Sequence, residues 1–138
     1  MINFCNLHLR LSLNKITKEN MSMYRNPKIS FLNHSCVRIE YRDQVLICDP
    51  WFSGGAFNDS WALIDQTPPN PELLQGITHI WISHEHPDHL HFPTLKLLQS
   101  TNASNIKVLF RYQPNKNVVD ALQKMGFLVV ELNHSEPY

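Results

Sequence analysis

The clearest pattern of hydrophobic and polar positions begins at residue 37. Val37, Ile39 and Tyr41 alternate with polar residues, and a short turn then leads to an apolar run from Val45 to Cys48. Alternation with a period of two is typical of a half-buried strand. The segment therefore predicts a β-hairpin or the start of a β-meander.

Farther along the chain, helix patterns alternate with strand patterns. The predicted elements are helices at 71–75, 94–100 and 115–125 and strands at 77–83, 106–110 and 127–132. Asn70, Pro71 and Gly76 occupy the positions of a cap, a first helical residue and a C-terminal stop for the first helix. Strands followed by strand-helix alternation indicate a layered α/β (α+β) architecture.

Two parts of the chain depart from this regular pattern. Residues 1–26 show neither period and end in the extended-favouring pair Asn26-Pro27, so we expect a loosely ordered extension before one domain at 27–138. Residues 51–69 are rich in Gly, Pro, Asn, Ser and Trp. We expect a long loop with its own packing that borders an active site.

Composition narrows the class of protein and its partners. With 138 residues the chain forms one domain or part of one, and 12 basic residues balance 12 acidic ones. This balance argues against nucleic-acid or anionic-membrane binding. As a partner we expect a small-molecule substrate. The sequence contains no apolar run of the ~20 residues that a membrane span needs. Three separated cysteines and the absence of a signal-peptide pattern predict a cytoplasmic protein without a disulfide framework.

A dense group of histidines and carboxylates follows the strand predicted at 77–83. Three histidines and two carboxylates fall within six residues, from His84 to His89. His84 and His86 are two apart, so an extended backbone directs both to the same side, where they can bind one ion, while Glu85 points away. These two histidines form a first candidate half-site.

Asp88 and His89 form a second candidate half-site beyond the bend at Pro87. One oxygen and one nitrogen suit a borderline divalent metal, and we expect zinc, with manganese or iron as alternatives. Two such ions can activate a water and polarise a carbonyl or phosphoryl oxygen. The competing interpretation is that these are solvated loop histidines, or that Asp88 caps the next helix.

Other residues have weaker claims to the site. His34 is equally compatible with a position near the metal and with an ordinary turn. Asp49 either caps a turn or orients a metal-bound imidazole, and we favour the second role. His91 is a candidate for substrate contact, whereas His8 and His79 are expected to be packing or surface residues.

The histidine group resembles the H-x-H-x-D-H motif of the metallo-β-lactamase superfamily. Asn33-His34-Ser35 and Asp49-Pro50 resemble two further motifs of that superfamily. The resemblance implies that the chain is the N-terminal half of an αββα sandwich. It also implies that His84 and His86 serve one metal and Asp88 and His89 a second, with Asp88 as the catalytic residue that orients the attacking water.

The segment from Asp49 to Leu95 is most similar to the metallo-β-lactamase part of the CMP-N-acetylneuraminate hydroxylase family and its bacterial relatives. Those hydroxylases also need a Rieske iron-sulfur centre, which requires a C-x-H and a C-x-x-H pair. Only Cys5 and His8 have either spacing. Rieske chemistry is therefore unsupported in this chain.

The superfamily completes its site with a third-motif histidine, a bridging aspartate and a final histidine. The chain ends at Tyr138, and His134 is the only histidine after His91, so we weigh His134 as the third ligand. No aspartate follows Asp120, which lies in a helix pattern. We expect a partial domain, weak metal binding, and an exposed apolar face at 80–82 and 128–130.

Three functions follow from these observations. The first is a metal-dependent hydrolase acting on a phosphoester, a lactone or an amide. The second is a non-catalytic remnant or binding module, with a homo-oligomer or a complementing chain as its partner. The third is a hydroxylase-like oxygenase component that takes electrons from a separate redox protein.

Overall fold

The computed structural model of the chain describes residues 26–65, 70–102, 105–135 and 137. Except for Asn26, the extension predicted at 1–26 lies outside these ranges, as do Cys5 and His8.

A mixed six-stranded sheet forms the centre of the described domain. Its strands are β1 (Lys28–Asn33), β2 (Cys36–Tyr41), β3 (Gln44–Cys48), β6 (His79–Ile82), β7 (Lys107–Arg111) and β8 (Leu128–Leu132), in the order β1-β2-β3-β6-β7-β8. The first three strands are antiparallel, and β3, β6, β7 and β8 run parallel to one another. A separate ribbon pairs β4 (Gly55–Ala56) with β5 (Trp61–Ala62).

The described helices are α1 (Pro71–Leu74), α2 (Phe92–Asn102) and α3 (Asn117–Lys124). The capping predicted for α1 is confirmed, because the Asn70 side chain accepts the Glu72 amide at 3.0 Å and Pro71 is the first helical residue. Gly76 follows with a φ of +70°, the left-handed conformation that glycine adopts without strain. Together with the sheet, these helices confirm the predicted α/β fold class.

One face of the sheet carries the main hydrophobic core. Ile47 pairs with Ile80 and Ile80 pairs with Val108, and paired residues in a ladder project from the same face. All three are fully buried, in one cluster with Leu98 of α2 and Leu122 of α3. The helices therefore cover this face.

The opposite face of the sheet, here called the open face, is largely apolar and is most exposed at its two edge strands. The strand register places on it Ile29, Phe31, Val37, Ile39, Leu46, Cys48, His79, Trp81, Lys107, Leu109, Leu128 and Val130, of which Leu109 is buried. Phe31 is 70% exposed and Leu128 is 55% exposed. The expectation of an exposed apolar face at 80–82 is wrong for Ile80 and Ile82, because both face the helices and are fully buried.

The loop after β3 has a core of its own, as predicted. Trp51, Ala56 and Leu63 form a second buried cluster, and Phe57 packs against it. Phe52 instead joins the main core, and its amide donates to Thr94 Oγ1 of α2 at 3.0 Å. This bond attaches the loop to the helix that follows the histidine group.

Cys36 and Cys48 are both free thiols. Burial raises the pKa of Cys36 to about 12, so its thiol is neutral at physiological pH. None of the helices that the structure describes combines the length and the apolar character needed to cross a bilayer.

Candidate metal centre

Three separate segments meet at the carboxyl end of β6. Cys48 of β3 pairs with Trp81 of β6, and the Asp49 amide donates to the Trp81 carbonyl at 2.8 Å. The residues that follow these parallel strands are therefore neighbours. The turn between β1 and β2, formed by His34 and Ser35, reaches the same place.

Asp49 organises this end of the sheet. Its Oδ1 accepts the Ser83 amide at 2.7 Å, and its Oδ2 accepts the Ser83 hydroxyl at 2.7 Å and His89 Nδ1 at 2.8 Å. With the proton on Nδ1, the lone pair of His89 is on Nε2, where it can bind a metal. Asp49 thus orients an imidazole, as predicted; metal binding by that imidazole stays a prediction.

Asp49 also affects the orientation of the His84 ring, through the Ser83 hydroxyl. Its hydroxyl hydrogen is used on Asp49, so Ser83 Oγ accepts from His84 Nδ1 at 2.9 Å. His84 Nε2 then keeps its lone pair and lies 2.9 Å from His86 Nδ1. This is the first histidine pair, with both nitrogens on one side, as the two-residue spacing predicts.

Glu85 is engaged elsewhere. Its Oε2 accepts from Gln113 Nε2 at 3.1 Å and lies 3.8 Å from Arg111 Nη2, beyond the end of β7. The hydrogen bond from Gln113 lowers the pKa of the Glu85 carboxyl. The alternation through residues 84–86 therefore separates the carboxylate from the two imidazoles.

Asp88 lies between two imidazoles. Its Oδ2 is 3.0 Å from His34 Nε2 and 3.4 Å from His89 Nε2, and one ligand atom from each of the three residues falls within 4.8 Å of the others. Asp88 is 5% exposed, and its Oδ1 is buried with no hydrogen-bond partner among the described residues. This oxygen is available to a ligand.

Ring contacts join the two predicted half-sites. The His84 ring centroid is 4.5 Å from that of His86 and 4.1 Å from that of His89. His34 is 5.6 Å from His89 on the other side. The structure therefore brings His84 and His86 beside His89, whereas the described residues whose ligand atoms lie within 4.8 Å of one another are His34, Asp88 and His89. That the four predicted ligands hold metal stays a prediction.

The electrostatics of Asp88 favour its ionised form. Burial acts to raise its pKa, but the hydrogen bond from His34, the backbone amide of Asp88 itself and the neighbouring His89 together outweigh burial, and the pKa is lowered. A carboxylate that is ionised at neutral pH can bind a cation without first losing a proton.

The remaining histidines do not join the group. His91 is 3% exposed, and its Nδ1 accepts the Thr94 amide at 3.3 Å, so it caps α2; a contact between His91 and substrate stays a prediction. His79 lies half-buried in β6, with Nδ1 2.9 Å from Thr78 Oγ1, as expected of a packing residue. His134 is exposed in the turn after β8 and is not in the metal-capable cluster of the described residues.

The donor atoms fit a divalent metal ion. Imidazole nitrogens suit zinc and iron, and a buried carboxylate oxygen without a protein partner is stabilised by a bound cation. The sequence had not identified Ser83, and it had left His34 undecided. The only sequence signal for Ser83 was its place between the strand and the first histidine.

A sheet with helices on one face and a His-x-His-x-Asp-His loop after a central parallel strand defines a metallo-β-lactamase-type domain. The family model described as "Beta-lactamase superfamily domain" matches residues 28–135, and the chain belongs to this family.

Similar curated proteins include cytidine monophosphate-N-acetylneuraminic acid hydroxylases. That of Asterias rubens is 38% identical over 76 residues, which are 54% of this chain and 12% of that protein. That of Mus musculus is 40% identical over 72 residues, which are 51% of this chain and 12% of that protein. The match thus spans about an eighth of the length of these relatives.

Solved structures with the same fold include a hydroxylase and a hydrolase. CmlA, a diiron β-hydroxylase from Streptomyces venezuelae, has a TM-score of 0.55 and 27% identity, over 81% of this chain and 22% of CmlA. Igni18, a metallo hydrolase from Ignicoccus hospitalis, has a TM-score of 0.51 and 22% identity, over 81% of this chain and 42% of Igni18. The likeness to Igni18 concerns the fold alone.

Proposed function

We propose that this chain carries metal-binding residues of a metal-dependent hydrolase that cleaves a phosphoester, a lactone or an amide with water. The observation that supports the proposal most is the adjacency of the two half-sites at the end of β6. The His84–His86 pair and the Asp88–His89 pair lie side by side, and Asp88 retains a buried oxygen without a partner.

Each residue has a defined role in this proposal. His84 and His86 would hold one ion and Asp88 and His89 a second, with zinc as the expected metal. Bound metal supplies a water of lowered pKa and a positive charge beside the bond that is cleaved. Asp88, ionised, accepts a hydrogen bond from the attacking water and orients it toward the substrate.

The neighbouring residues fix the geometry of that reaction. Asp49 accepts the Nδ1 proton of His89 directly and that of His84 through Ser83, so both rings present Nε2. Phe57 lies with its ring centroid 6.1 Å from that of His86. Its apolar surface would limit the access of water to this side of the site.

The test is hydrolysis by the zinc-loaded chain on a panel of activated phosphodiesters, lactones and anilides. Asp88→Asn is expected to lower kcat about 100-fold or more, because the amide no longer accepts from water as a carboxylate does. His134→Gln, a substitution outside the cluster, is the matched control. Equal kcat in wild type and Asp88→Asn would contradict the proposal.

Hydroxylation is a second candidate, because the curated relatives at 38–40% identity and CmlA at 27% are hydroxylases. By analogy, the substrate would be a CMP-linked N-acetylated sugar acid. Conversion of C–H to C–OH takes one oxygen atom from dioxygen and releases the other as water, consuming two electrons and two protons. Within the given sequence Cys5 and His8 are the one pair with a Rieske-type spacing, so a redox centre outside these 138 residues would supply those electrons.

Metal and oxygen dependence separate the two candidates. The iron-loaded chain is incubated with the CMP-linked sugar, a chemical reductant and labelled dioxygen, and mass spectrometry follows the product. Incorporation of one labelled oxygen supports hydroxylation. Turnover of the ester panel with zinc and without dioxygen supports hydrolysis.

A further inference from the structure

We propose that His34 is a protein ligand of the metal, completing a three-residue position with Asp88 and His89. The inference rests on the proposed function to the extent that Asp88 and His89 hold an ion. It extends that proposal, because His34 lies outside the H-x-H-x-D-H motif and comes from a different part of the sheet.

The distances match a shared ion. Ligand atoms 2.0 to 2.2 Å from a tetrahedral zinc are separated from one another by about 3.3 Å. Asp88 Oδ2 is 3.0 Å from His34 Nε2 and 3.4 Å from His89 Nε2. All three ligand atoms lie within 4.8 Å of one another, so a small adjustment of the side chains lets them reach the same ion.

The charge balance also points to a cation. The Asp88 side chain is 7% exposed, and its Oδ1 is buried without a partner among the described residues. A buried carboxylate that is incompletely paired is costly, and a divalent ion beside it removes most of that cost. Imidazoles from His34 and His89 supply the remaining donors.

His34 reaches this position with an unfavourable backbone conformation. His34 has a φ of +40° in the two-residue turn between Asn33 and Cys36, a conformation that is unfavourable for a residue with a side chain. The ring is held by an edge contact with Trp51, with centroids 5.4 Å apart.

Two nitrogens and one carboxylate oxygen are the ligand set of the His₂-carboxylate catalytic zinc sites, which leave a fourth position for water. The four ligands of the motif form two half-sites with two ligands each, and for that reason we predicted weak metal binding. With His34 included, one position has three protein ligands within the described residues. We therefore expect the chain to hold one ion firmly.

The alternative role of His34 is to position Asp88 through a hydrogen bond, without touching metal. Two substitutions separate these roles. His34→Gln keeps an N–H donor but is a poor zinc ligand, whereas His34→Cys supplies a thiolate ligand. His134→Gln is the matched control, since it removes an exposed histidine outside the cluster.

The experiment titrates zinc and cobalt into the full 138-residue wild type and these three variants. Wild type and His134→Gln are expected to bind one ion firmly, and His34→Gln to lose about 100-fold or more in zinc affinity. Cobalt-loaded His34→Cys is expected to show sulfur-to-cobalt charge-transfer absorption. Circular dichroism without metal checks that each variant is folded.

A hydrogen-bonding role predicts different results and would overturn the inference. In that case His34→Gln binds zinc like wild type and His34→Cys lacks the charge-transfer band. Wild type that retains no ion also overturns it. If the variants do not fold, NMR of cadmium-loaded wild type decides, through the presence or absence of coupling between the metal and the His34 ring nitrogen. An ion bound through His34 without ester, lactone or amide turnover leaves the inference intact and counts against the proposed hydrolysis.

Discussion

At the scale of single residues, Asp49 shows how a side chain outside the metal-binding motif controls the motif. Its carboxylate accepts three hydrogen bonds, two from Ser83 and one from His89, and it is 6% exposed. Because Ser83 in turn accepts from His84, one carboxylate sets the ring orientation of two histidines. Such partners commonly matter for metal affinity nearly as much as the ligands do.

Asp49→Asn should therefore weaken both the fold and metal binding. The amide keeps one acceptor oxygen, and its NH₂ group faces a donor that the carboxylate had satisfied. The expected costs are about 1–3 kcal/mol in the free energy of unfolding and a 10- to 100-fold loss of zinc affinity, on the order found for such partners. Urea unfolding without metal and a chelator competition assay measure the two effects.

The matched control is Asp43→Asn, at an exposed position in the turn between β2 and β3. It should leave zinc affinity unchanged. Equal zinc affinity in Asp49→Asn and wild type would show that the carboxylate does not orient the ligands.

At the scale of elements, helix α2 and the loop after β3 depend on each other through Thr94. Thr94 is 3% exposed, and its hydroxyl accepts the Phe52 amide and contacts His91 Nδ1 at 2.9 Å. The adjacent Trp51 forms the edge contact with His34. Packing of the loop is thus connected to the position of a candidate ligand.

Thr94→Val tests this connection with almost no change of volume. The Phe52 amide loses its acceptor in a buried place, which should cost about 1–3 kcal/mol. Urea unfolding measures the loss, and hydrogen exchange should accelerate at the Phe52 amide. Ser53→Ala, at an exposed position of the same loop, should change stability by less than about 0.5 kcal/mol. Unchanged exchange at Phe52 in Thr94→Val would refute the connection.

The sequence predicted the elements that have a long, regular pattern. Alternation from Val37 to Tyr41 located β2, and the Asn70–Gly76 signals located α1. The two-residue strands β4 and β5 are too short to show a period, so the loop after β3 gave no sign of them. Helix α2 extends two residues farther at each end than predicted. At its start, His91 serves as the cap, although histidine is not among the residues that usually signal a helix start.

The site was predictable only where its residues are close in sequence. The spacing of His84 and His86 placed their nitrogens together, and the strand end before Pro50 suggested the role of Asp49. His34 and Asp88 are 54 residues apart, and only the sheet order brings them together. Local patterns carry no information about such a contact.

At the scale of the whole molecule, the open face distinguishes the two sides of the sheet. At the edge strands Ile29 is 67% exposed, Phe31 70% and Leu128 55%, whereas Ile47, Ile80 and Val108 on the helix-covered side are fully buried. Ile29 and Phe31 are neighbours on the same face of β1, and exposed apolar surface of this kind often binds another surface. We propose that a second copy of the chain covers the open face.

Phe31→Lys should reduce self-association of the chain and its binding of a hydrophobic dye. The lysine places a charge on the open face at the edge strand β1, where pairing with another surface would bury it. Sedimentation velocity over a range of concentrations measures the change. Leu97→Lys, at an exposed position of α2 on the other side of the sheet, is the control. A wild-type chain that is monomeric and binds no dye would contradict the proposal.

The contact between His34 and Asp88 also has an entropic consequence. A cross-link between residues 54 positions apart restricts the unfolded chain, and for a permanent link of this span the loop-closure model gives about 4 kcal/mol. A metal ion held by both residues would be a reversible cross-link, present only while the ion is bound. It would connect the antiparallel half of the sheet, which carries His34, to the parallel half, which carries Asp88. The free energy of unfolding would then depend on the concentration of free metal.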